Sequence, residues 1–433
     1  MNVPSLLFRR QGLIIWRRTT TARPRCSPSS LSQRFYSPRS QTPFESSVPH
    51  HEVDSLERER ERLILQEPMF KNAEPKPKIS LPILFTLVIT GVGFGIAATR
   101  TNEETEKWRK KVMYVPPIIP WGGNSFSAAM YGEWRQAKGR EWQKAFDEFQ
   151  KKTVAIPASI RGIVNYSYYY VAQSWVNLTE GKETSYKLVG CFAAVWLVGL
   201  IPAARGFVRR AFSHDPLSGR VSTLFTSQFG HGGLLHLGVN SFALIGFGEL
   251  AWSYLRHNQI NAPDRMDEAI SGYHFLAFHL AAGTVSALTS HLFAARVLYP
   301  RLIARLSKQS ASVTPLASTT AAAASVPQIL PSTGASGAIW ASLMVTALAW
   351  PHTTVTLVFL PFFPISIGSG VFGLVALDIV GLIRGWRFFD HAGHLGGAAF
   401  GAAYYYYGPA CWEWWRRQAK RMSPSSRQGR ETG

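Results

Sequence analysis

The chain has 433 residues, 46% of them hydrophobic and 17% charged, and the hydrophobic residues are gathered into long, nearly uncharged blocks. That pattern excludes an ordinary soluble globule and points to a polytopic membrane protein. The net charge of +20 raises the question of nucleic acid, but no basic patch falls on a recognisable soluble module, so no nucleic-acid partner is expected.

Residues 1–44 carry eight arginines, many Ser and Thr, and no acidic residue before Glu45. Basic, acid-poor leaders of this kind are mitochondrial transit peptides. Arg34-Phe35-Tyr36-Ser37 resembles a processing site, so residues 1–36 are expected to be the transit peptide. Residues 37–78 are polar and Pro-containing and read as a matrix tether. Residues 79–98 are twenty uncharged positions, enough for one crossing of a hydrocarbon layer of about 30 Å. Residues 99–187 read as a soluble loop with one amphipathic helix, whose stripe is Trp142, Ala145, Phe146 and Phe149.

Six apolar segments follow, at 188–204, 229–254, 269–298, 333–350, 371–383 and 391–407. The Ser/Thr/Ala-rich run 307–332 reads as a flexible connection, and 359–366, broken by Pro361 and Pro364, as a membrane-embedded loop. Residues 408–433 form a basic tail in which Trp412, Trp414 and Trp415, followed by Arg416 and Arg417, suit an interfacial anchor. The expected fold is an all-α membrane protein of one span followed by six. Arg205, Arg209, Arg210, Arg220, Arg301, Arg305, Lys308, Arg384 and Arg387 fall in the loops after the first, third and fifth core segments. Short basic loops stay on the negative side, so these loops are expected in the matrix and the carboxyl terminus in the intermembrane space.

Three segments hold polar residues at membrane depth. Gly334-Ala335-Ser336-Gly337-Ala338 lies in a stretch from Gln309 to Leu377 without Asp, Glu, Lys or Arg. Small residues around a serine ordinarily serve close helix packing. A second segment, Asp390 to Gly401, places His394 ahead of Gly397 and Gly401, which lie four apart on one face. The third, His231 to Asn240, sets His236 and Asn240 one helical turn apart; alone, that pair reads as glue between helices. Serine is a poor nucleophile until a base takes its proton, and polar groups in lipid are costly enough to need a reason. The glycines remove bulk where Ser336 and His394 would have to meet. A serine, a base and two donors for a developing oxyanion therefore read together as a hydrolase working inside the bilayer. No acidic residue is placed to orient His394. Asp390 is expected at the membrane edge and His231 and His391 at the rim, while His274, His279 and His291 read as structural. Cys26, Cys191 and Cys411 lie far apart and give neither a disulfide framework nor a metal site.

These elements, with the segment from Gly385 to Gly397, resemble the rhomboid family of intramembrane serine proteases, and more narrowly its mitochondrial, presenilin-associated branch. The resemblance covers residues 188–407 and implies a six-helix protease core with one additional amino-terminal helix. It implies Ser336 as nucleophile, His394 as general base and acid, and His236 with Asn240 as oxyanion donors. Gly334, Gly337, Gly397, Gly401 and His231 would support them, with no cofactor and no metal. It further implies the mitochondrial inner membrane, and cleavage in or beside the helix of single-span substrates such as a dynamin-related fusion GTPase. One departure is visible: many members carry a Trp-Arg pair in the loop after the first core helix, where this chain has Ala204-Arg205-Gly206-Phe207. Two rivals come from other classes. A catalytically silent rhomboid-like protein would bind membrane clients; a transporter would use His and Asn as an ion path but expects inverted repeats, and none is legible here. Nothing in the sequence sets an oligomeric state.

Overall fold

The structure is a computed structural model that describes residues 76–113, 124–311, 329–357 and 360–423. The expected transit peptide, nearly all of the tether, the middle of the 307–332 connection and the end of the tail lie outside these residues.

Helix α1, Ser80–Met113, is 34 residues long. The expected crossing at 79–98 is its first part. Beyond Ala98 no Gly or Pro interrupts the run, and the i,i+3 pairs Arg100–Glu103 and Glu104–Lys107 support continued helix into water. The region 99–187 is far more helical than expected. Helices α2 (Asn124–Lys152) and α3 (Ala158–Val176) fold back on one another. The stripe on α2 is spent there: Phe146 and Phe149 stack on Tyr168 with centroids 5.7 and 4.3 Å apart.

Helix α4, Glu180–Leu200, starts earlier than the expected segment and ends before it. Pro202 has no N–H to donate and drives the residue before it out of helical conformation. Ile201 is accordingly extended, and a separate basic helix, α5 (Pro202–Ala211), follows. Helix α6 is Leu234–Ile260, so His231 lies in the loop ahead of it rather than on it. Helix α7, Gly272–Phe293, passes through a π turn at Ala294–Leu298 into α8, Tyr299–Ala311. The short apolar helix α9 is Ser336–Ala349.

The Pro-broken segment is not a bare loop. Strands β1 (Thr354–Leu357) and β2 (Leu360–Ser366) form an antiparallel hairpin with a bulge at Thr356/Leu357. In a two-stranded sheet both strands are edges, where proline is tolerated. The described residues are mostly helical, in keeping with the expected all-α class, and this short hairpin is the local departure from it. Helix α10, Ile367–Arg384, is capped by the Ser366 hydroxyl and closed by Gly385 in left-handed conformation. Helix α11, His391–Met422, runs straight through the expected end of the core at 407.

Among the described residues, four helices are long and apolar enough to cross a membrane: α1, α6, the continuous run Gly272–Arg305 and α10. Helix α9 is apolar but shorter and sits at the centre, packed on α6, α7 and α11. Its buried face is Ala338, Ala341, Val345 and their neighbours. Leu84, Leu87, Val92 and Ile96 on α1 point outward, as side chains facing lipid do. The tail corrects another expectation. Trp412 and Arg416 are fully buried rather than interfacial. Trp412 donates its indole N–H to Glu268 at 3.0 Å, and Arg416 donates to the carbonyls of Met266 and Asp267 and to Asn102 of α1. A guanidinium can be buried when its donors are matched in this way.

Candidate active site

Ser336 is the first residue of α9, and its hydroxyl lies 3.0 Å from His394 Nε2 near the start of α11. Two turns of close packing make this approach possible. A side chain on Gly397 would run into the Gly337 backbone, and one on Gly401 into the Ala341 backbone. Gly337 is itself pressed against Ser286 of α7, whose hydroxyl donates to the Gly393 carbonyl at 2.7 Å. The small residues are thus the surfaces on which α9, α11 and α7 touch, and Ser336 and His394 sit at one end of that seam.

The other nitrogen of His394 has a partner that sequence reasoning missed. His394 Nδ1 is 3.2 Å from Oδ2 of Asp378 on α10, and His391 Nδ1 contacts Oδ1 of the same carboxylate. Asp378 is buried on one stripe of α10 with Val371 and Gly381, and Gly381 lacks the side chain that would strike the His391 ring. The signal was available: Asp378 is the lone ionisable residue in the 371–383 segment, and a charge at membrane depth marks function by default. Asp390 is elsewhere, accepting from the Gly393 N–H and the Ser290 hydroxyl, both at 2.9 Å, as the cap of α11. His391 is buried, not at the rim.

His236 lies on α6 across the opening from Ser336. Gly334, with φ of 121°, brings the chain so near that a Cβ there would lie 2.8 Å from the His236 imidazole. His231 packs edge-on against His236 with centroids 5.1 Å apart. Asn240 lines the same cavity, but its amide N–H donates to the His236 carbonyl at 2.8 Å. The three histidines expected to be structural are off the site: His274 stacks on Trp412, His279 is buried in α7, and His291 bonds His214 at 3.0 Å.

A cavity of about 1420 Å³ opens over these groups, lined within by His236, Asn240, Ser336, Trp340 and His394. A smaller pocket of about 30 Å³ lies behind Ser336 against Ser227, Ser286 and Thr333, with room on the order of one water molecule. No group of His, Cys, Asp and Glu among the described residues is arranged to hold a metal ion.

A family profile described as Rhomboid domain matches residues 218–410. The chain is 27% identical over 328 residues to presenilin-associated rhomboid-like protein A, mitochondrial, of Danio rerio, covering 76% of this chain and 70% of that protein. It is 28% identical to the Homo sapiens presenilin-associated rhomboid-like protein, mitochondrial, over 54% of this chain and 50% of that one. Rhomboid protein 1, mitochondrial, of Saccharomyces cerevisiae is 28% identical, over 53% and 54%. The chain therefore spans about half the length of the human and yeast relatives it matches. No solved structure matches it with significance. Apolar helices within and ahead of the matched domain, together with these mitochondrial relatives, make this a multi-pass mitochondrial membrane protein. Residues 218–410 thus carry a rhomboid domain, and the chain is similar to the mitochondrial presenilin-associated rhomboid-like proteins.

Proposed function

We propose that the chain is an intramembrane serine endopeptidase of the mitochondrial inner membrane, with one amino-terminal span ahead of a six-helix protease core. It cleaves a peptide bond in or beside the helix of single-span membrane proteins. The observation that carries this reading is the line from Asp378 through His394 to Ser336, ending in an open cavity.

A carboxylate at Nδ1 keeps the imidazole proton there and leaves Nε2 free to accept one. As Ser336 Oγ attacks the scissile carbonyl carbon, its proton passes to His394 Nε2, and the imidazolium is stabilised by Asp378. The carbonyl oxygen becomes negative beside the amino end of α9, whose first-turn N–H groups have no partners within the helix and carry the positive end of its dipole. His236 adds a side-chain donor. Asn240 adds another once its amide leaves the His236 carbonyl. One such donor contributes about 2.7–4 kcal/mol to the transition state. Collapse breaks the C–N bond, His394 returns the proton to the leaving amine, and an ester to Ser336 remains. Water drawn from the cavity or the pocket behind Ser336 then attacks that ester, giving its proton to His394; the acyl C–Oγ bond breaks, His394 passes the proton to Ser336 Oγ, and the product leaves with a new carboxyl terminus.

A fluorophosphonate probe tests the reading directly. It is expected to label the wild-type protein at Ser336 and to leave Ser336→Ala unlabelled. A wild-type protein that takes no label and cleaves no single-span substrate restores the silent client-binding alternative.

A further inference from the structure

Four arginines stand around the mouth of the active-site cavity: Arg301 and Arg305 from α8, and Arg384 and Arg387 from the end of α10 and the turn after it. Arg301 and Arg305 are i,i+4 and so share one helix face. Gly385, left-handed at φ of 70°, turns the chain between Arg384 and Arg387 so that both line the same opening. The two pairs are far apart in sequence, and only the fold brings them together.

All four are exposed, and none forms an ion pair among the described residues. Among the described residues that line the cavity the one acidic side chain, Asp390, is already occupied by Gly393 and Ser290. Arginine in short loops ordinarily marks the side of the membrane where a loop is retained. Retention explains which end of the bundle carries these residues. It does not explain why they converge on one opening, since charges kept for retention serve equally well on any outward face. Like charges held around a cavity mouth repel one another until an anion enters.

We propose that this rim is a specificity element that recognises an acidic segment flanking the scissile bond of the substrate. The proposal rests on the protease reading above, because the opening ringed by the arginines leads to Ser336. A chain whose bond lies on Ser336 must leave past the rim, and guanidinium groups bind carboxylates through paired N–H donors. A lipid phosphate shares that affinity for arginine. The peptide is favoured because all four charges line the cavity that holds the nucleophile.

The test uses the purified full chain in neutral phosphatidylcholine vesicles. Single-span substrates differ only in three residues before or after the scissile bond, which are acidic, neutral or basic. The acidic version, in one of the two placements, is expected to raise kcat/KM about tenfold over the neutral one. High salt is expected to erase that gain. Replacing Arg301, Arg305, Arg384 and Arg387 together with Gln is expected to abolish the preference. R384E/R387E is expected to favour the basic substrate, a gain that misfolding cannot produce. Photocrosslinking of the same peptides to the Ser336→Ala form reads the rim without catalysis. Preferential capture of the acidic peptide by a protein whose wild type cleaves nothing would sink the protease reading and leave the rim standing. Cleavage with no charge preference, or a preference that survives the fourfold replacement, overturns the rim. So does a rate that follows added anionic phosphatidylglycerol and ignores the charge of the substrate.

Discussion

Asp378 meets two histidines of the neighbouring helix at once. Its Oδ2 lies 3.2 Å from His394 Nδ1, and its Oδ1 is held by His391 Nδ1. One buried carboxylate therefore ties α10 to the start of α11 and also sets which nitrogen of His394 faces Ser336. If it acts on the tautomer, Asp378→Asn should lower kcat by about 10²–10⁴, with a smaller change in KM. The variant should still take a fluorophosphonate slowly, and its pH–rate profile should shift. A profile and kcat like those of the wild type would reduce Asp378 to a helix tie.

Ser336→Ala and His394→Ala should each abolish cleavage of a single-span substrate while the protein remains membrane-inserted. Turnover by either purified variant, at more than a trace of the wild-type rate, removes the residue concerned from the chemistry.

Truncation of His236 or Asn240 should cost about 10²–10³ in kcat, the effect of one oxyanion donor, without eliminating probe labelling. The Asn240 amide rests on the His236 carbonyl, so its share depends on a rotation that substrate has to induce. Wild-type rates in both variants would return the pair to a role as glue between helices.

Gly397→Val places a branched side chain against the Gly337 backbone. Overpacking of this kind costs about 1–3 kcal/mol, and here it also draws His394 away from Ser336. Lower thermal stability in detergent and weaker labelling of Ser336 are expected together. Full stability with full labelling would mean that α9 and α11 do not need this contact.

Acid should loosen the loop that leads into α6. His214 accepts no charge easily: burial, and then the neighbouring His291, hold its pKa down to about 3 from 6.5. Between those values the unfolded chain binds a proton that the folded chain does not, so stability falls as pH drops below about 6.5 and levels off near 3. The slope from one such group is about 1 kcal/mol per pH unit. Thermal midpoints measured across that range should fall for the wild type and fall less steeply for His214→Gln.

Much of the candidate site was legible because its signals are local. Ser336 among small residues, the spacing of Gly397 and Gly401 after His394, and the one-turn interval between His236 and Asn240 are all properties of short segments. The cost of polar groups in lipid made each of them conspicuous. The length of the apolar blocks likewise made this a membrane protein before any contact was known. Tertiary structure decided what depends on meeting a distant partner. Asp378 is conspicuous as a charge, but only the packing of α10 on α11 turns it toward His394 and leaves Asp390 as a cap. Arg416 looked like a surface anchor because arginine in water needs no partner; Glu268, Asn102 and the Met266 and Asp267 carbonyls, brought from elsewhere in the chain, allow it to be buried. The proline-broken segment became a hairpin because β1 offers it a backbone ladder, which no pattern within the segment itself reveals. Local propensity and the energy of transfer into lipid act along the chain and can be read there, whereas hydrogen bonds between distant groups exist only once the fold has closed the loops between them.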